Sequence, residues 1–306
     1  MTQTGTKCDI AQIIEDFPSP SNPEEIEYQL DCVKDFLGSP KEGSQRPGAL
    51  LKMADLLVGR NEAGDYLEAS KVYDEALSSS LPADEYNVKA QIGKAELALP
   101  LSTNPSDARK AIEVCKKAAA ALKGKPSDFF LAKALAVQAE LLLKLGGEKE
   151  RQEALALYEE MISKPTTNMY FRLRGVVGVI DLLGTYYKAQ LSAKYDRYIV
   201  ALQEAVESLG ENRPNDYFRI KGLILLSELM LIKDKDALGE NAKRLLLEVI
   251  NNEAASDDLR ARASLSLAEV SSSSLAKSLL KGIRKMDGID PYLLRRATAI
   301  ETALKE

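Results

Sequence analysis

The chain contains no histidine and no tryptophan, and only three of its 306 residues are cysteines. Without histidine it lacks the usual general base, the commonest metal ligand and every Ser–His or Cys–His nucleophile pairing. Without tryptophan, and with 6% aromatics, a carbohydrate groove has little to stack on. Cys8, Cys32 and Cys115 lie far apart with no C-x-x-C pair. That spacing excludes a thiolate zinc cluster. An odd, unclustered count also points to free thiols in a reducing compartment rather than to a disulfide framework. Neither G-x-G-x-x-G nor G-x-x-x-x-G-K-[ST] occurs, so no phosphate loop and no cofactor are expected. The most apolar window, Leu223 to Ile232, is interrupted by Ser227 and Glu228 and is far short of the roughly 20 residues a membrane span needs. The N-terminus lacks the apolar core of a signal peptide and the Arg-rich character of a transit peptide, so the expected location is cytoplasmic.

Positive charge is scarce at one end. Residues 1–42 carry nine acids against Lys7, Lys34 and Lys41, and this accounts for the net charge of -5, the remainder being nearly neutral. Nucleic acid and anionic membrane both reward a basic surface, so neither is an expected partner. Two runs are locally basic: Arg109, Lys110, Lys116 and Lys117, continuing to Lys123, Lys125 and Lys133, and Lys281, Arg284, Lys285, Arg295 and Arg296. A solvated helix face explains most such runs, and a contact site for an acidic partner is the sharper alternative. The acidic pairs Glu159-Glu160 and Asp257-Asp258 read as an exposed helix face and a helix start rather than as metal or glycosidase carboxylates.

What the sequence has in abundance is apolar residues at helical spacing, separated by caps and breakers. Leu50, Met53, Ala54, Leu57 and Val58, then Leu67, Ala69, Val72, Tyr73, Ala76 and Leu77, predict two antiparallel helices around a turn at Gly64-Asp65. Such a hairpin has a second apolar side and needs another stacked on it. Further helices are predicted from about Asp84 to Leu99, after Asn104, from Asp128 to Leu145, between Gly146-Gly147 and Pro165 with Ala154, Leu155, Tyr158 and Ile162 as its stripe, over Asn168–Tyr187 and over Leu191–Leu209. Others run from Asn212-Arg-Pro214 to Ile232, over Leu238–Ile250 and Leu259–Val270, from Ser274, and from Pro291 to the end. No strand pattern appears. Residues 1–48 form an acidic segment of two helices, with Ile10, Ile13, Ile14 and Phe17 on one face of the first and Ile26, Leu30, Val33 and Leu37 in the second. Residues 49–306 form the repeat domain, whose last helix is a charged cap. The fold class is all-α, a solenoid of six to seven antiparallel helix pairs.

The first hairpin resembles the tetratricopeptide repeat: the family's large, Leu, Gly, Tyr, Ala-x-x-x-Phe and Pro places fall on Met53, Leu56, Leu57, Arg60, Ala69, Tyr73 and Pro82. A second copy falls on Gln138, Leu141, Leu142, Leu145, Ala154, Tyr158 and Pro165. Both lack the Trp, Gly and Tyr of the first helix, and from Asn168 onward only the helix-pair rhythm persists. The resemblance implies a right-handed superhelix and a non-enzymatic scaffold that binds a protein or peptide segment in a concave groove. It places Leu51, Ala54 and Val58, then Ala136, Ala139 and Leu143, on that groove, making it apolar. The amphipathic segment Ile10–Phe17 either caps the first pair or fills this groove. A structural subunit of a larger assembly, with self-association through its ends, is the alternative, and a helical enzyme the least expected.

Overall fold

In the computed structural model, residues 8–17, 19–20, 22–39, 44–80, 84–124, 128–164, 167–210, 213, 215–286 and 288–304 are described. They form helices and no strand. The chain divides into two compact units, residues 1–175 and 176–306. Residues 1–48 therefore belong to the same compact unit as the helices that follow them.

Unit 1 contains α1 (Ile10–Glu15), α2 (Pro23–Gly38), α3 (Arg46–Arg60), α4 (Asp65–Ser79), α5 (Glu85–Glu96), the short α6 (Ala98–Leu101), α7 (Pro105–Leu122), α8 (Asp128–Leu145), α9 (Glu148–Ser163) and the start of α10 (Met169–Tyr186). Helices consecutive in sequence pack as pairs, α3 on α4, α5 on α7 and α8 on α9. The first helices of neighbouring pairs also touch, α3 on α5 and α5 on α8. This is the arrangement of an α–α solenoid. Unit 2 holds the rest of α10, the short α11 (Lys188–Ser192), α12 (Tyr195–Gly210), α13 (Tyr217–Lys233), α14 (Lys235–Ile250), α15 (Asp257–Ala268), α16 (Ser273–Ile283) and α17 (Pro291–Ala303). Here α13 pairs with α14, α15 with α16, and α17 packs on α15.

Caps set most boundaries. Asn22, Asn104, Ser256 and Asp290 each accept a hydrogen bond from a backbone N–H of the first turn they precede. Three expected boundaries move. The single helix over 84–99 stops at Glu96, because the Pro100 ring collides with the carbonyl four residues back and offers it no N–H; α6 follows. The helix expected over 191–209 is split into α11 and α12, and α13 starts later than expected because Asp216, not Asn212, caps it. Pro82, Pro165, Asn212 and Pro214 lie outside the described residues.

Close approach between pairs falls at small residues. Ala69 and Ala154 have no exposure at all. Tyr73 lies directly on Gly93 of the next pair, and Gly175 faces Met161 and the Tyr158 carbonyl, which would stand 3.3 Å from a Cβ there.

At the N-terminus α2 packs on α3, burying Ile26, Leu30 and Val33. α1 lies on α2 and α3 and buries Ile13 and Ile14, with Phe17 half-buried just beyond it. Cys8 and Cys32, 24 residues apart in sequence, form a disulfide. This corrects the expectation of three free thiols: the chain reverses between α1 and α2, which spacing alone does not reveal. Cys115 is free and buried.

Candidate interaction groove

Unit 2 contains an open groove of about 1130 Å³. Its walls come from the last turns of α10 and from α13, α15 and α17.

The groove's floor is a chain of ion pairs between successive first helices. Lys221 of α13 pairs with Asp181 of α10. Arg262 of α15 grips Glu228 of α13 with two bonds, Nη2 to Oε2 at 2.7 Å and Nε to Oε1 at 3.2 Å, and Ser266 donates to Glu228 Oε1 at 2.7 Å. Arg296 of α17 grips Glu269 of α15 at 2.8 and 2.9 Å, with its Nη1 3.9 Å from Glu228. Two-point guanidinium–carboxylate bonds fix direction as well as distance. Burial pushes the Glu228 carboxyl up, but the Arg262 charge overcomes this and holds it below the usual carboxylate range.

Unit 1 has a counterpart between its own first helices. Lys133 Nζ of α8 lies 2.9 Å from Asp55 of α3 and 3.1 Å from Glu96 of α5, while Tyr73 donates to Asp55 at 2.6 Å. Arg174 of α10 is buried, bonding Glu140 of α8 at 2.6 Å and reaching Glu96 at 3.4 Å. In each of these interhelical pairs the acid stands on the earlier helix and the base on the later one. Burial lowers the Lys133 and Arg174 pKa values, yet their carboxylate partners win and hold both above the ordinary range. Neither cation is poised to give up a proton. Burial also pushes the Cys115 thiol up to about 12, as in an inert core thiol. Among the described residues no group of three or more His, Cys, Asp or Glu side chains could hold a metal. This constellation orients helices and presents polar edges.

Around the unit 2 floor, large apolar side chains stay in water: Tyr217 is 52% exposed, Ile232 62% and Tyr292 61%.

The apolar groove expected from the family spacing is not where that spacing puts it. Leu51, Ala54, Ala136 and Ala139 are buried in the helix packing, and only Val58 and Leu143 are half-exposed. The physical reason is clearest in α8, where Ala132, Leu135, Ala136, Val137, Ala139 and Leu142 are all buried. A helix buried all round has no open face for a pattern to identify.

The basic run is exposed at Arg109, Lys110, Lys116 and Lys117, but it is interleaved with acids. Lys110 is 3.6 Å from Asp107, and Lys116 lies 3.4 Å from Glu113 and 3.3 Å from Glu153. Arg109 and Lys116 border a small cleft of about 230 Å³ that also holds Glu113, Glu150 and Glu153. In the second basic run Arg284 pairs with Glu301, and Arg296 turns into the groove.

Nothing in the sequence pattern marks Glu228 and Arg262 as partners, since they stand 34 residues apart. The one available signal was a charged residue inside an apolar helix, as at Glu228 and Arg174. No family model matches this sequence, and comparison with curated proteins finds no relative.

Proposed function

We propose that the chain is a non-enzymatic adaptor of tetratricopeptide-like helix pairs, which binds a segment of a partner protein in the groove of unit 2. The observation that carries this reading is the set of exposed side chains Tyr217, Ile232 and Tyr292 around a floor of matched ion pairs. Tyrosine and arginine dominate binding energy at protein interfaces, because each supplies a large contact area and a polar end. Supporting the repeat reading are the paired helices and the shielded Ala69 and Ala154.

No helix among the described residues is long and apolar enough to cross a membrane. A cytoplasmic setting now carries a condition: cellular thiols would hold the Cys8–Cys32 pair reduced there, whereas an oxidising compartment would keep it closed.

The test uses immobilised full-length protein in extract of its own cell, followed by mass spectrometry. Tyr217→Ala with Tyr292→Ala should lose the partner at a cost to the fold of no more than about 1 kcal/mol, because more than half of each residue is exposed. Tyr28→Ala, an exposed tyrosine on α2, should retain it. Equal recovery by wild type and the double variant would reject the groove.

A further inference from the structure

The segment Asp9–Phe17 has the order apolar, acidic, acidic, aromatic at Ile14, Glu15, Asp16 and Phe17. Its helix α1 has six residues, too few to persist alone in water, so the surface beneath it fixes its place.

That surface has a separate receptor for each of the four side chains. Ile14 sits over Gly48 of α3, where a Cβ would stand only 2.7 Å from Ile14 Cγ2. Tyr86 of α5 donates toward Glu15 at 3.5 Å. Asp16 accepts a bond from the Gln29 amide of α2 at 3.0 Å, and its backbone carbonyl accepts one from Lys52 of α3. The Lys52 side chain is fully buried, with its ammonium 5.0 Å from the centre of the Phe17 ring. Phe17 in turn meets Phe129 and Phe130 of α8, with ring centres 5.5 and 5.0 Å away.

These receptors belong to four helices that pack on one another independently of α1. Covering the open side of α3 is already the work of α2, so α1 is not needed as the end cap. Its own hold on the chain comes from the following connection and from the Cys8–Cys32 bond. A tethered ligand occupies its site at high local concentration even when its intrinsic affinity is modest.

We propose that Gln29, Gly48, Lys52, Tyr86, Phe129 and Phe130 form a second peptide-binding site, selective for a short segment of pattern apolar-acidic-acidic-aromatic at the end of a helical turn, which residues 9–17 occupy as a built-in ligand. A partner segment with the same pattern competes for the site when the built-in segment is released. Gln29 reads the acidic position by hydrogen bond, with the Lys52 ammonium 3.9 Å from the same carboxylate and bonded to the backbone beside it; the tyrosine reads the acidic neighbour, and the phenylalanine pair reads the aromatic. An apolar helix entering a groove is a recurrent recognition mode, and the buried ammonium adds a charge requirement to it.

The probe is a fluorescein-labelled synthetic peptide of residues 9–20, titrated into full-length protein and followed by polarisation. Wild type with the disulfide closed should take up little, because its site is filled. Full-length Cys8→Ser with Phe17→Ala loosens the built-in segment and should bind the peptide at least about tenfold more tightly. Adding Lys52→Met, or replacing the residue corresponding to Asp16 or Phe17 in the peptide by alanine, should reverse that gain. If the loosened protein keeps its helicity and thermal midpoint yet takes up no peptide at about 100 μM, the proposal is overturned.

Hydrogen exchange on the wild-type chain decides the matter should the loosened variant unfold. Amides of residues 13–16 should open at much lower free energy than those of Leu51 to Leu57. Their protection should fall further when a dithiol delivers two electrons and two protons to Cys8 and Cys32 and leaves as its own cyclic disulfide. Exchange of α1 only together with α3 makes the segment part of the core and rejects the site.

Discussion

At the scale of the residue, the tightest constraint in unit 1 is the contact between Tyr73 and Gly93. A Cβ on Gly93 would lie 2.4 Å from the Tyr73 ring and hydroxyl. The tyrosine cannot retreat, being completely buried and bonded to Asp55 at 2.6 Å. Gly93→Ala should therefore cost roughly 1–3 kcal/mol in urea denaturation, an overpacking cost that outweighs the usual helical advantage of alanine. Gly59→Ala is the matched comparison on α3: its nearest neighbour would be Ile26 Cδ1 at 4.0 Å. With space available, that change should stabilise by about 0.4–1 kcal/mol through the unfolded chain. Equal effects at the two glycines would mean that Tyr73 has room to move.

Between elements, the recurring device is the acid on one first helix facing the base on a later one. Lys133→Met removes the cation shared by the buried Asp55 and Glu96, leaving them only Tyr73 and Arg174, and should cost about 3–5 kcal/mol, measured by the same denaturation. A loss below about 1 kcal/mol would show that water reaches both carboxylates. Helix positions were legible in the sequence because their signals are local: Asn104 before Pro105, Ser256 before Asp257, a repeated apolar stripe. So was the pairing of helices, because short connections leave few alternatives. The ion pairs were not legible, since their members stand 27 to 78 residues apart. Nor was the groove. The family spacing ranks faces by periodicity, and α8 is buried nearly all round, so Ala136 and Ala139 lie inside the helix packing. The unit 2 groove is instead marked by Glu228, a charge inside the apolar α13, and by its distant partner Arg262, and neither carries a motif. Residues 10–17 show the mixed case: burial of Ile13 and Ile14 followed from amphipathicity, while the disulfide that holds them depended on a chain reversal.

Across the whole molecule, the missing histidine and the buried charges together fix how stability responds to pH. Glu96 in unit 1 and Glu228 in unit 2 both have folded-state pKa values below the ordinary one, each held down by cations against the opposing effect of burial. A carboxyl lowered by folding binds a proton more readily in the unfolded chain. Its contribution is complete above the unfolded value and is lost as pH falls through the folded one. Both units should therefore weaken once pH drops below about 4.5. On the alkaline side Cys115 is raised to about 12 and Tyr73 is raised by burial, so the unfolded chain ionises these groups first. Their contribution is intact below the unfolded values and begins to disappear as pH climbs past about 9. Between these limits most proteins have histidine to titrate, and this one has none. The urea midpoint of the untagged chain should consequently be flat from about pH 6 to pH 8.5 and fall on both sides. A step centred near pH 6.5 would require some other group with a strongly displaced pKa, and would show that the charge pairing in the two units differs from that described.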